Sequence, residues 1–377
     1  MAPSKEEKIK GSLLGLAWGD ILGCPVEGWR GHEIQTIYGD YQQLPQEYPL
    51  EKMRLVMVKK IKRLRPLGLY SDDTQQALGL INICLSQRCW SKQAWAELLV
   101  QGMAKKAWRG YGKNFSAAIR KLAKGNQPEL SGSSSAGIGA AMRVAPLGAV
   151  YRDNPAVLAT AVMEASLITH GHISAAAFAY AVVYTVAALI GGQTPQEIKD
   201  SLPSAVASVE TEWLENHLDW TIERSVGHLV SQSIAKILTQ KWNNCEQLRQ
   251  QISQTAKPHL AKGFTKAHPN QGFVLLGGLH ALAMALFPQD DPEFLLAEII
   301  RQGYDTDTVA AICGGILGAR FGTNWMPLER LQERERLENY AAALVDFNVA
   351  VEDIETFLAR EAELSQQEAN YQKKVTA

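Results

Sequence analysis

The chain is poor in several features that would commit a protein to other lives. Of its 377 residues only five are cysteine (24, 84, 89, 245 and 313), and no two form a Cys-x-x-Cys pair. That usage points to reduced thiols in a cytoplasmic protein. Neither sign of charge is in excess: 38 Lys and Arg face 39 Asp and Glu, a formal net charge of −1. Nothing global therefore draws the chain to nucleic acid or to a membrane surface. The opening Met-Ala-Pro-Ser-Lys-Glu-Glu-Lys lacks the apolar core of a signal peptide. No P-loop is present, and Gly137-Ile138-Gly139 lacks the third glycine and preceding strand of a dinucleotide fingerprint. Strand-like alternation is nearly absent, so the expected fold class is all-α, a compact multi-helix bundle.

Hydrophobic residues make up 46% of the chain, enough for a large core. No linker interrupts it, so residues 1–367 are read as one domain, with 368–377 as a frayed tail. Apolar periodicity places helices at 6–23, 73–87, 92–107, 114–124, 155–168, 173–190, 204–216, 223–239, 243–254, 272–287 and 291–302. Residues 165–196 carry no charge and imitate a membrane span. Their alanine content and Tyr180, Tyr184 and Thr185 favour a buried central helix instead. Residues 28–70 look irregular. Within them Met53–Arg65 is a basic, partly β-like run whose plainest role is a solvated face.

Two stretches carry the chemistry. Asp305-Thr306-Asp307-Thr308 stands before an apolar segment containing Gly314, Gly315, Gly318 and Gly322, and Ser71-Asp72-Asp73-Thr74 stands before a second apolar helix. Either cluster alone is also accounted for as a helix cap with acids suited to the dipole. Together they offer only oxygen donors, which suits Mg²⁺, Mn²⁺ or Ca²⁺ and not zinc or copper. An EF-hand is excluded, because positions six and twelve counted from Asp305 are Ala310 and Ile316. Gly11, Gly15, Gly19 and Gly23 are spaced by four, which puts them on one helix face. The spacing predicts that they dock on Gly314, Gly318 and Gly322; if the two helices run antiparallel, Asp20 and Glu27 come toward the acids. Ser131–Gly139 is a small-residue loop able to cradle phosphate or simply to flex.

Gly15–Glu27 (GLAWGDILGCPVE), Ser71–Thr74, Gly139–Gly148 (GAAMRVAPLG), Thr169-His170 and Asp305–Thr308 occur in that order. This ordered set resembles the ADP-ribosylglycohydrolase family. The resemblance implies an all-α fold and a centre of two divalent cations, Mg²⁺ or Mn²⁺, that serves removal of ADP-ribose from modified side chains. By that resemblance the metal ligands are Ser71, Asp72, Asp73, Asp305, Asp307 and Thr308. Glu27 matches the acid that approaches metals and substrate, with Asp305 and Asp307 next as catalytic candidates. His170 matches the histidine lining the ADP-ribose pocket, Ser135 and Gly137 fall in the phosphate-contacting loop, and Gly112 in another ligand-side loop. The implied partner is an ADP-ribosylated protein or an ADP-ribose-containing small molecule, and the linkage is left open among arginine, serine and related bonds. Three departures stand out: Ile138 where Asn is common, Tyr304 where Gly is common, and Ser71 where Thr is frequent. Arg143 is expected to be a structural ion-pair partner, and Asp20 to cap its own turn. A non-catalytic ADP-ribose binder or structural member, and a metal-dependent phosphohydrolase, are the competing functions.

Overall fold

In the computed structural model, which describes residues 2–87, 89–261 and 266–376, the helices Lys5–Gly23 and Thr306–Phe321 lie backbone against backbone at the centre. A Cβ added to Gly11 would sit 2.2 Å from the carbonyl oxygen of Gly318, and one on Gly15 would sit 2.2 Å from that of Gly314. Gly19 meets the Ala310 oxygen at 2.0 Å, and Gly23 meets Asp307 Cα at 2.5 Å by the same construction. The partners descend as the first helix ascends, so the pair is antiparallel, the arrangement that brings the end of the first helix to the acids. Each glycine disfavours helix by about 1 kcal/mol relative to Ala. Close approach of two apolar backbones offsets that, since Gly11–Gly23 and Thr306–Ala319 are buried throughout. Gly322 is not part of the stripe: with φ 74° it ends the helix and packs on Pro3 and Glu7.

The rest of the fold wraps this pair in helices, and among the described residues there is no strand, only four isolated bridges. Asp72–Ser86, Lys92–Ala104 and Lys113–Ala123 follow the first helix closely as expected, as do Pro155–Leu167 and Ile173–Ile190 further on. The last of these is the one helix among the described residues long and apolar enough to cross a membrane, and it is largely buried inside the protein.

Other boundaries move for local reasons. The segment expected at 204–216 begins at Pro195, where Thr194 and Glu197 form a capping box, and it runs through Pro203 to Glu215. The segment expected at 223–239 shortens to Leu229–Leu238. The one expected at 272–287 is extended at Phe273, makes a π-turn over Val274–Gly278 and becomes α-helical only over Leu279–Ala285. Short helices Gly31–Tyr38, Leu50–Val56 and Val58–Ile61 occupy the stretch read as irregular, so the β-like run is helical.

The expected frayed tail is overturned. Ile354–Thr376 forms one helix, and Val375 is buried (Ala377 lies outside the described residues). Its buried positions, Phe357, Leu358, Glu361, Leu364, Glu368 and Val375, form a helical face within a polar sequence. Glu361 is the anchor. It accepts from Arg109 Nη1 at 2.9 Å, Gln75 Nε2 at 2.7 Å, Tyr70 Oη at 2.7 Å and Arg336 Nη1 at 2.5 Å.

Two stability predictions follow from these contacts. Gly314→Val places a Cβ 2.1 Å from the Gly15 oxygen, and it should destabilise by about 3 kcal/mol or more in chemical denaturation. A wild-type midpoint would show that the helices can part without cost. Burial by itself would raise the Glu361 carboxyl, but Arg109 and Arg336 outweigh it and hold its pKa below the ordinary value. Its contribution is therefore complete above the unfolded value of about 4.3 and is lost as pH falls through the lower folded value. Glu361→Gln should be less stable than wild type by about 3 kcal/mol at neutral pH, and the gap should close on acidification. A gap independent of pH would remove the carboxylate charge from the docking of this helix.

Candidate functional site

The acids meet because the glycine stripe sets the register of two helix starts. Thr306 Oγ1 donates to Gly23 O at 2.8 Å, tying the start of the second glycine helix to the end of the first. From the first helix Asp20 reaches sideways to the other acid cluster. Its carboxylate accepts from Ser71 N at 2.9 Å, Thr74 N at 3.1 Å and Thr74 Oγ1 at 2.6 Å. Asp20 thus caps the helix Asp72–Ser86 from outside, not its own turn. Four donors, counting Cys24 Sγ at 3.1 Å, occupy this carboxylate, which leaves it structural.

Asp72, Asp73, Asp305, Asp307, Thr308 and Glu27 line a single cavity of about 270 Å³. His170, Gly112 and Gly137 are also in its wall. Ser71 is not: its hydroxyl accepts from Asp73 N at 3.2 Å as the N-cap of its helix. Glycines make the space. A Cβ at Gly272 would be 2.7 Å from Asp305 Oδ2, and one at Gly110, where φ is 73°, would be 2.8 Å from Asp72 Oδ1. Neither position was singled out in the sequence, where both look like ordinary loop glycines.

The donor set fits a hard cation. Asp73 Oδ2 and Asp307 Oδ1 are buried without a hydrogen-bond partner among the described residues. An orphaned buried acceptor costs about 1–3 kcal/mol, more if charged. Burial, then repulsion among the acids, raises the Asp72 carboxyl to about 7, although Arg65 opposes the shift. Burial and Glu27 raise Asp305 to about 6, and burial with the neighbouring acids pushes Asp73 and Asp307 well above the ordinary carboxylate value. Positive charge placed among them relieves all of these costs together. Among the described residues no three Asp, Glu, His or Cys side chains converge closely enough to hold an ion as they stand. Binding a cation must draw the carboxylates together.

A second, larger chamber of about 810 Å³ adjoins the first through Asn114, Gly137 and Gly272. Ser135 belongs to this chamber, and its Oγ accepts from Asn114 Nδ2 at 2.8 Å and from Gly137 N at 3.2 Å. Phe273, Leu276, Leu229, His172 and His259 supply much of the remaining wall. His170 stands in the wall of the first cavity. Thr169 Oγ1 lies 2.9 Å from its Nδ1, and burial, with Arg143, lowers its pKa to about 3, so the ring is neutral at physiological pH. Arg143 is structural, but the expected ion pair is replaced by neutral partners: Gln76 Oε1 at 2.6 Å, Thr169 Oγ1 at 2.6 Å and Ala165 O at 2.9 Å.

The three departures resolve differently. Tyr304 adopts the left-handed conformation (φ 66°) that glycine favours, a strain on the order of 1–3 kcal/mol. It is held there by Tyr304 N donating to Trp29 O at 2.5 Å, Gly28 N donating to Tyr304 O at 2.6 Å, and stacking on His268 at 3.9 Å. Those bonds place the backbone just after Glu27. Ile138 is buried, and its N–H reaches Gly272 O at 3.4 Å, so the loop keeps a backbone link. Ser71 keeps its hydroxyl for capping. Asn270 was not foreseen: its side chain donates to Ile299 O at 2.7 Å and Gly303 O at 2.9 Å, and its carbonyl accepts from Asp305 N at 3.1 Å. Arg65 was also missed, because it ends a run whose lysines are solvated, whereas Arg65 itself is buried in the cavity wall.

The family model for ADP-ribosylglycohydrolase matches residues 1–353. An uncharacterised protein of Archaeoglobus fulgidus is 26% identical over 351 residues, covering 92% of this chain and 98% of its own. ADP-ribosylhydrolase ARH3 of Xenopus tropicalis is 26% identical, with 85% of this chain and 89% of the relative covered. ADP-ribosyl-[dinitrogen reductase] glycohydrolase of Rhodospirillum rubrum is 23% identical, with 86% and 89% covered. A solved structure titled ADP-ribosylglycohydrolase-related protein complex superposes with a TM-score of 0.61 at 23% identity, covering 91% of this chain and 99% of that one, which shows the shared fold. The ordered motifs, the acid-lined cavity and a match spanning residues 1–353 place the chain in the ADP-ribosylglycohydrolase family, glycosidic hydrolases of ADP-ribose linkages.

Proposed function

We propose that the protein removes ADP-ribose from modified protein side chains, or from a related ADP-ribosyl substrate, with two divalent cations, Mg²⁺ or Mn²⁺. The carrying observation is the pair of orphaned carboxylate oxygens, Asp73 Oδ2 and Asp307 Oδ1, on two helix starts that line one cavity. Asp72, Asp73, Asp305, Asp307 and Thr308 would hold the ions, and the Ser71 hydroxyl would have to leave its cap to join them. When bound, the cations supply positive charge for the ribose hydroxyls and acidify a water.

The chain's own groups divide the remaining work. Hydrolysis breaks the bond from C1″ to the acceptor atom and forms C1″–OH from water, so one water proton must end on the acceptor. Glu27 is the group for that transfer, because its side chain is 39% exposed at the cavity and free to reach both water and acceptor. Neutral His170 offers a ring nitrogen for hydrogen bonding but no proton to give at neutral pH. The loop at Ser135 and Gly137, with Gly112 opposite, suits the diphosphate. The larger chamber, with Phe273 and Leu276, suits the adenosine end. The free cysteines, four of them buried, are in keeping with a cytoplasmic setting.

Release of ADP-ribose from arginine- and serine-modified peptides, followed by mass spectrometry with Mg²⁺, Mn²⁺ or chelator, tests this directly. Turnover should require metal and vanish in Asp307→Ala. Mg²⁺ or Mn²⁺ at about a hundredfold excess over Kd should also stabilise the wild type by about 2.7 kcal/mol. Glu27→Gln should keep that stabilisation while losing about 100-fold or more in kcat. Metal-induced stabilisation without release from any ADP-ribosyl substrate would favour the non-catalytic binding member of the fold. Release of phosphate in place of ADP-ribose would make it a phosphohydrolase.

A further inference from the structure

Arg65 puts a fixed positive charge among the acids. It is 4% exposed and lines the same cavity as Glu27 and Asp72. Three elements hold it. Its backbone carbonyl accepts from Tyr48 Oη at 2.8 Å, its Nη1 lies 3.4 Å from Cys24 Sγ, and its Nε lies 3.9 Å from Glu368 Oε1. The guanidinium is left with unused donors. Nε is buried without a hydrogen-bond partner among the described residues, and Nη2 has Glu27 Oε2 at 3.9 Å, beyond hydrogen-bond range. An arginine so placed stays protonated and cannot be switched off by its surroundings.

The proposal rests on the hydrolase reading above. We infer that Arg65, braced by Glu368, makes the site select ADP-ribosyl acceptors that carry no positive charge, such as a serine hydroxyl, over the guanidinium of arginine. The acceptor must lie near Glu27, which handles its proton, and that corner is where Arg65 points its free Nη2. A guanidinium acceptor would bring a second cation into the same partly desolvated corner, where like charges repel most strongly. A neutral oxygen acceptor meets no such repulsion and can accept a hydrogen bond from the unused donors. The acids attract a cationic acceptor, but Arg65 already takes the place beside Glu27.

The brace adds a second observation. Glu368 is on the helix Ile354–Thr376, which lies past residue 353, the end of the matched family region. The same helix sends Glu361 to Arg109, beside the glycine that clears space for Asp72. The element that fixes Arg65 is therefore supplied from outside the part of the chain that carries the family's motifs.

The test measures kcat/KM for matched serine-linked and arginine-linked ADP-ribosyl peptides, in wild type, Arg65→Gln, Arg65→Lys and Glu368→Gln. Wild type should prefer the serine-linked peptide by about tenfold or more. Arg65→Gln should lower that ratio at least about fivefold, Arg65→Lys should largely keep it, and Glu368→Gln should lower it by less. A general loss of structure would reduce both rates and leave the ratio alone. A wild-type preference for arginine, or a ratio unmoved in Arg65→Gln, overturns the inference; if that variant does not fold, Glu368→Gln decides by the same criterion. Should neither peptide be hydrolysed, calorimetric Kd values for the same two peptides take over. A serine preference in binding that falls in Arg65→Gln upholds the role of Arg65, and equal or absent binding overturns it.

Discussion

The site depends on two helix backbones touching. Gly11, Gly15, Gly19 and Gly23 let Lys5–Gly23 lie on Thr306–Phe321 with carbonyls where side chains would otherwise stand. That contact has a register, and the register does the positioning. It sets Gly23 beside Asp307 and holds Thr306 against Gly23 O. It also leaves Asp20 opposite Ser71 and Thr74, so the second acid helix is capped by the first helix and not by a local residue alone. A slip of one turn, about 5.4 Å, would separate the two acid clusters. A backbone contact of this kind tolerates neither slip nor added volume, which makes it a rigid base for the acid-lined cavity.

The buried acids show how one residue type serves two ends. Asp20 and Glu361 are surrounded by donors or guanidiniums, and their charge is spent on holding elements together. Asp73 and Asp307 each keep one buried oxygen without a partner. Their carboxyls are pushed up by burial and by one another, the mark of acids kept apart from their natural counter-charge. Satisfied acids build the frame, and unsatisfied ones face the cavity. Among the described residues Arg65 is the one guanidinium in the wall of that acid cavity, with Glu27 as its nearest partner there.

Local signals in the chain were strong wherever a rule acts over a few residues. Capping residues and apolar periodicity located most helices, and two oxygen-only acid clusters stood at helix starts that the structure brings to one cavity. Glycine spacing foretold which faces of the two central helices meet, because a period of four admits one face only; their antiparallel sense came from the structure. The ordered motifs carried the family. Elsewhere the sequence misled: the helix expected to begin at 204 starts at Pro195 and runs through Pro203. The end of the chain past Gln367 was expected to fray, although Glu368 and Val375 are buried on the same helix as Phe357, Leu358, Glu361 and Leu364.

By itself, then, the sequence determined the all-α class, the two acid clusters and the face on which the central helices meet, since these follow from spacing along one chain. Only the tertiary structure decided which oxygens remain free. It assigned Asp20 to capping and withdrew the Ser71 hydroxyl from the cavity wall. It also brought Arg65 and Glu368, more than three hundred residues apart in sequence, to the same guanidinium contact. Those outcomes depend on which donors long-range packing brings within reach of each buried charge, and no local pattern encodes that.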